Sequence, residues 1–226
     1  MDQIIVSVHM PKVAGTSFLN QLRTLYGEQS LFLDYRDDPT NPLSVRNIDP
    51  HFYDIDPIKT IAPYRAVHGH FHPGKYDKLD GAFRLTFLRH PVDNIVSIYE
   101  FWRAHEKGFW AHPVFSYFKE SNLPITRLAM IPQLRYLYSC SYFGGFNMDR
   151  FDFIGDYSQY DQELARLGTR LGVSFDLGVR HNVTANLSRM SSRLPGRQKA
   201  ISDNDYAELA GILKDDIEFY EKYRRR

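Results

Sequence analysis

The stretch that decides the fold is IIVSVHMPKVAGTSFLNQLRTLYG, residues 4–27. Apolar or small residues at 4–8 run into His9-Met10-Pro11-Lys12, and a small-residue turn, Ala14-Gly15-Thr16-Ser17, follows. Phe18, Leu19, Leu22 and Leu25 then recur at the spacing of one helix face. Strand, tight loop and helix in this order aim backbone N–H groups and a positive helix end at an anion, typically a phosphate. The position of the lysine sets the kind of cradle. A Walker loop reads G-x-x-x-x-G-K-[ST], with lysine after the last glycine. Here Lys12 precedes Gly15, and the hydroxyls of Thr16 and Ser17 come after it. The loop therefore reads as a phosphate cradle of another kind than the ATP or GTP version.

Working outward, a second strand-to-helix junction lies in FRLTFLRHPVDNIVSIYEFW, residues 83–102. Its apolar strand ends in Leu88-Arg89-His90-Pro91, and the helix after it carries Ser97 and Tyr99. Arg89 offers a planar fork suited to phosphate, or else an ordinary ion pair with a carboxylate. Apolar strands at 4–8, 64–68, 84–88 and 151–155 alternate with helical patterns at 16–26, 92–104, 127–138, 158–172 and 204–223. This alternation predicts an α/β fold of one domain over 1–226, P-loop-like and three-layered. Its central parallel sheet is flanked by helices, and ligands belong at the carboxyl ends of the strands. Two irregular excursions interrupt the pattern: residues 34–63, rich in Asp and Pro, and residues 178–202, rich in Arg, Ser and Asn. Long loops of this kind in a compact domain are often functional.

Bulk properties narrow the partners. At 226 residues, with 43% hydrophobic and 15% aromatic content, the chain can fill one substantial core. A formal net charge of +1 gives no global basic field, so no nucleic-acid partner is expected and any anion site must be local. The single Cys140 cannot form an intramolecular disulfide and suits a reducing compartment. No run reaches the ~18 apolar residues of a membrane span, and no basic, apolar leader precedes the first strand. These features predict a cytoplasmic protein. Nothing in the sequence speaks to oligomeric state.

His68, His70 and His72 alternate, which in a strand points all three side chains one way. One reading makes a histidine of this set a general base, a task that a pKa near neutrality suits. Another makes His68, His70 and His72 zinc ligands, which would need further support from groups such as Asp77 or Asp80. A structural cluster is the third. Residues 101–118 hold seven aromatics among Arg103, His105, Lys107 and His112, and fit either a substrate cleft or a core.

The order P-K-x-A-G-T-S behind a buried strand resembles the 5′-phosphosulfate loop of sulfotransferases that use 3′-phosphoadenosine 5′-phosphosulfate (PAPS) as donor. Arg89 and Ser97, eight residues apart, resemble the family's 3′-phosphate motif, although His90 stands where the family often has Asp. Val67-His68-Gly69-His70 resembles the segment of heparan sulfate 2-O-sulfotransferase-like enzymes that holds the proposed base. Phe153-Ile154-Gly155-Asp156-Tyr157 and the last helix fit the family's closing elements.

The resemblance implies a PAPS-dependent sulfotransferase of the carbohydrate branch, in soluble form, although its Golgi members carry a membrane anchor. It implies a donor site of Pro11, Lys12, Ala14, Gly15, Thr16, Ser17, Arg89 and Ser97. Asn182 and Arg193 would join them from the nucleotide-covering loop, where Arg180 and Arg189 are further candidates. Lys12 would stabilise the leaving group, and His70, ahead of His68, would deprotonate a hydroxyl of a glycan or small-molecule acceptor. No metal is required. The rivals are an atypical P-loop nucleotide kinase, a zinc hydrolase on the three histidines, and a nucleotide-binding homologue without turnover.

Overall fold

The computed structural model describes residues 3–178 and 201–225. Five parallel strands form its sheet: β1 (Ile5–Val8), β2 (Leu31–Asp34), β3 (Ala66–Gly69), β4 (Phe83–Leu88) and β5 (Phe153–Asp156), in the order β2-β3-β1-β4-β5. Strand β1 is central and buried along its length, which explains why 4–8 carries no polar alternation. Its register pairs Ser7 with His68 on one side and with Leu85 on the other. Thr86, also buried, donates its hydroxyl to the Val8 carbonyl at 2.9 Å. The fold is thus a single-domain α/β structure, with helices flanking a parallel sheet.

Helix α1 (Gly15–Tyr26) follows β1 and packs over β2 and β3. Helix α2 (Pro91–Ala104) follows β4, with Pro91 at the first turn where its missing N–H costs nothing. The chain leaves β1 toward β2 and leaves β4 toward β5, in opposite directions. Right-handed crossovers then put the two helices on opposite faces. The carboxyl ends of β1 and β4 thereby flank a topological switch point, where open α/β sheets hold ligands.

Strand β2 is absent from the strands expected from the sequence. It has four residues, LFLD, with Phe32 at 37% exposure, too short a run for periodicity to separate from a loop. What fixes it is a tertiary fit: a Cβ on Gly69 would stand 1.8 Å from the Asp34 carbonyl oxygen, so β2 and β3 meet where only glycine allows. The expected helix at 127–138 is broken into Ile125–Ala129 and Pro132–Arg135, because Pro132 cannot continue a helix begun before it. A π-helical turn, Leu137–Tyr142, comes next. Asp216 caps it, accepting from the Tyr138 and Ser139 backbone N–H groups at 2.8 and 2.9 Å.

Helix α3 (Pro113–Ser121) lies in the aromatic stretch that the sequence left unassigned. Helix α4 (Tyr160–Leu171) packs on β5. The closing helix breaks at Leu213 into α5 (Asp203–Ile212) and α6 (Lys214–Tyr223). The excursion at 34–63 is anchored from beneath. Lys75 Nζ sits 2.8 Å from Asp34 Oδ2 and 3.4 Å from Asp37 Oδ2, both carboxylates being buried. That anchorage delivers Tyr35 and Asp38 to the rim of the site.

Candidate active site

A cavity of ≈ 570 Å³ opens at the switch point. Its wall includes Pro11, Lys12, Ala14, Gly15, Thr16 and Ser17 from the β1–α1 loop, and Arg89 and Ser97 from β4 and α2. Two segments nearly eighty residues apart in sequence thus line one space. Lys12 and Ala14 both adopt left-handed backbone, with φ of 61° and 51°. For residues with a Cβ this costs ~1–2 kcal/mol each. Two cross-loop bonds offset the strain: Arg89 Nη1 donates to the Lys12 carbonyl at 3.2 Å, and Asn94 Nδ2 to the Pro11 carbonyl at 2.8 Å. Such bonds contribute about 1 kcal/mol apiece, or somewhat more from a charged donor. The loop is therefore held in shape by the neighbouring strand-to-helix junction.

Ala14, the N-cap of α1, provides no side-chain acceptor, so the positive end of a twelve-residue helix meets the cavity without a capping side chain. Gly15 has a steric reason as well: a Cβ there would lie 1.6 Å from the His9 ring. Lys12 Nζ rests 3.9 Å from the centroid of the Phe101 ring, and the Arg89 guanidinium 5.0 Å from that of Tyr157. Neither cation pairs with a carboxylate among the described residues. Burial, with Arg89's charge second, pulls the Lys12 ammonium down to about 8. Two positive groups held near each other in a partly desolvated cleft make an anion the natural occupant.

The histidines separate into different roles. His70 lines the cavity, and its Nδ1–H donates to the His9 carbonyl at 2.6 Å. A carbonyl can only accept, so the proton is fixed on Nδ1 and the Nε2 lone pair is left as the basic position. Tyr142 Oη lies 3.1 Å from the same Nδ1 and 3.4 Å from Asp38 Oδ1, extending the chain Asp38–Tyr142–His70. The His9 ring stacks between His70, at 4.5 Å, and His68, at 5.0 Å. His9 itself is held well below the usual histidine range, by burial first and by its imidazole neighbours next.

His68, the other expected base, is corrected. It is 1% exposed, hydrogen-bonded to Ser7 Oγ at 2.8 Å, and absent from the cavity wall. Burial, followed by the charge of His70, pushes it down to about 3, and it packs as a neutral core ring. The shared direction expected of His68, His70 and His72 is likewise corrected. Strand β3 ends at Gly69, and His72 turns away. Its Nδ1 accepts from the Gly74 N–H at 3.1 Å and its Nε2 donates to the Gly144 carbonyl at 3.0 Å. With both nitrogens of His72 used, the three do not converge on a point that zinc could occupy. Among the described residues no three His, Cys, Asp or Glu side chains do.

Asn182 and Arg193, with Arg180 and Arg189, lie outside the described residues. The stretch at 101–118 divides: Phe101, Trp102, Trp110, His112 and Phe115 line the cavity, while Phe118 is core. Residues that sequence reasoning missed are Asn94, Tyr142, Tyr157 and Asp38. Asn94 had one available signal, a polar side chain in the first turn of the helix that follows Arg89. Among the described residues no helix is long and apolar enough to cross a membrane.

No protein-family profile and no curated protein matches the sequence. Among solved structures the chain is similar to a sulfotransferase from Alicyclobacillus acidocaldarius, at 16% identity and a TM-score of 0.43, over 96% of this chain and 97% of that one. It is also similar to mouse sulfotransferase SULT7A1 complexed with PAP, at 12% identity and a TM-score of 0.40, over 100% of this chain and 90% of that one. Overlap this loose carries no chemistry, which rests on the chain's own residues.

Proposed function

We propose that this chain transfers a sulfuryl group from PAPS to a hydroxyl of a glycan or small-molecule acceptor, by in-line displacement and in the cytoplasm. The observation that carries the reading is the convergence of Lys12 and Arg89 on one cavity, neither paired with a carboxylate among the described residues. The N-terminus of α1 opens there and His70 lines the same cavity. In this reading the loop 11–17 holds the 5′-phosphate, while Arg89 and Ser97 hold the 3′-phosphate that sets PAPS apart from ordinary nucleotides. Lys12 follows charge onto the departing phosphate, and His70 Nε2 accepts the hydroxyl proton. The His-Gly-His segment favours the heparan sulfate 2-O-sulfotransferase-like branch. The lysine placed before Gly15 is the reason to prefer this reading to a kinase.

Calorimetric titration with 3′,5′-adenosine bisphosphate, set against ATP with Mg²⁺, tests it. Tight metal-free binding of the bisphosphate, weakened by Arg89→Ala more than binding of adenosine 5′-phosphate is, is the expected result. Preference for Mg·ATP would favour the kinase and remove the sulfuryl reading.

A further inference from the structure

The cavity wall carries charge of both signs. Lys12 and Arg89 are the only lysine and arginine among the described residues lining it, and Asp38 is the only carboxylate. Asp38 Oδ1 holds the local turn, accepting from the Thr40 N–H and the Thr40 hydroxyl, both at 2.8 Å. It also receives the Tyr142 hydroxyl at 3.4 Å. A neutral amide oxygen would serve those three donors as well. Asp38 Oδ2 has no hydrogen-bond or ion-pair partner among the described residues, so the charge is not explained by the turn.

Aromatic rings line the same cavity as this carboxylate. Thr40 Oγ1 lies 3.2 Å from His112 Nε2, which ties the Asp38 turn to the ring wall. The His112 ring is 6.2 Å from Trp102, and Trp110 packs at 5.0 Å on Phe115. His112 Nδ1 accepts from the Phe115 N–H at 3.4 Å, a bond that the neutral ring makes, and burial also disfavours the charged imidazole although Asp38 works against that. A carboxylate with no ion-pair partner among the described residues, in a cavity also lined by rings, is an environment for an organic cation. It repels an anion, and no further lysine or arginine of the described wall offsets that repulsion.

We propose that the acceptor carries a cationic amine beside its reacting hydroxyl, selected by Asp38 and the rings of Trp102, Trp110 and Phe115. This rests on the sulfuryl-transfer reading and narrows its acceptor from glycans at large to hydroxylated amines. In the transfer, a bond forms between the acceptor oxygen and sulfur while the bond from sulfur to the 5′-phosphate oxygen breaks. That bond's electron pair leaves on the phosphate, and the hydroxyl proton passes to His70 Nε2. The amine takes no part in the chemistry and stays bound at Asp38.

Three phenols of nearly one shape test this: tyramine, para-ethylphenol and para-hydroxyphenylpropionate. Binding of each is measured by calorimetry to the full chain, with and without 3′,5′-adenosine bisphosphate. Tyramine should bind at least ~10-fold tighter than the neutral phenol, and the carboxylate should bind weakest. In Asp38→Asn the ratio of tyramine to neutral phenol should fall to about one, while the amide keeps the turn. Because a ratio is read, any effect of Asp38 on His70 through Tyr142 cancels. Equal or reversed order in the wild type, a ratio that survives Asp38→Asn, or no binding of any of the three overturns the proposal. Failure of the bisphosphate itself to bind is a separate result: it sinks the donor assignment, whereas the amine ratio without nucleotide still decides the role of Asp38.

Discussion

Lys12 combines three features seldom found together in a solvated lysine: left-handed backbone, a ring under its ammonium, and a second cation close by. Its pKa of about 8 gives a direct handle. An anion beside the ammonium favours the charged form, so the bound state must have the higher pKa. Affinity for the bisphosphate is then complete below about pH 8 and falls above it, by up to tenfold per pH unit, until the bound-state pKa is passed. Calorimetry from pH 7 to 9.5 should show this decline, and Lys12→Arg should flatten it. A wild-type affinity that is level across the range removes Lys12 from the anion site. His70 has its own test. With Nδ1–H committed to the His9 carbonyl, His70→Ala should lower kcat by ~10² to 10⁴ and leave bisphosphate affinity nearly unchanged. A loss confined to donor binding would instead place the ring on the donor side. Lys12 was legible because a lysine between a buried strand and a small-residue turn is a local pattern. His70 came ahead of His68 with the family resemblance, but the physical difference between them was not legible: β3 ends at Gly69, between the two, leaving His68 in the core and His70 on the cavity wall.

Among the elements, the pairing of β2 with β3 rests on one missing methyl group. Gly69→Ala would put a Cβ 1.8 Å from the Asp34 carbonyl oxygen, which is backbone and cannot swing aside. The two strands would have to part, at a cost of about 3 kcal/mol or more. Asp34 and Lys75 would lose their buried contact with them. Gly211, in α5 with nothing near its Cβ position, is the control: Gly211→Ala should be neutral or stabilising by up to ~1 kcal/mol. Urea midpoints for the two variants check this, and similar midpoints would contradict the close approach. The longer elements were readable because α1, α2 and α4 each bury a stripe repeated over several turns. Strand β2 and the π-helical turn were not. The strand is four residues long, and the turn takes its shape from Asp216, which lies some eighty residues onward.

For the molecule as a whole, the buried histidines make stability depend on pH. Burial lowers His68 to about 3 and His72 to about 4, and also lowers His9 and His112. Between pH 6.5 and those values the unfolded chain binds protons that the folded chain refuses, so stability is lost as pH falls. Each such group contributes ~1.4 kcal/mol per pH unit inside its window. Asp216, raised by burial, acts in the opposite direction, but it is one group against four. The melting temperature should drop by ~10 °C between pH 7 and 5, with a smaller drop in His72→Gln. An unchanged or higher value at pH 5 would mean that these rings do not stay neutral. The sequence by itself determined what local patterns encode: a buried strand feeding an anion-seeking loop and helix, a second strand ending in arginine, and a parallel sheet between helices. Only the tertiary structure decided that the two loops face one cavity, that His68 is core while His70 is reachable, and that Asp38 shares that cavity with several rings and has no ion-pair partner among the described residues. Periodicity and turn chemistry act over a few residues. Burial, hydrogen-bond partners and the neutralisation of charge depend on residues brought together from distant parts of the chain.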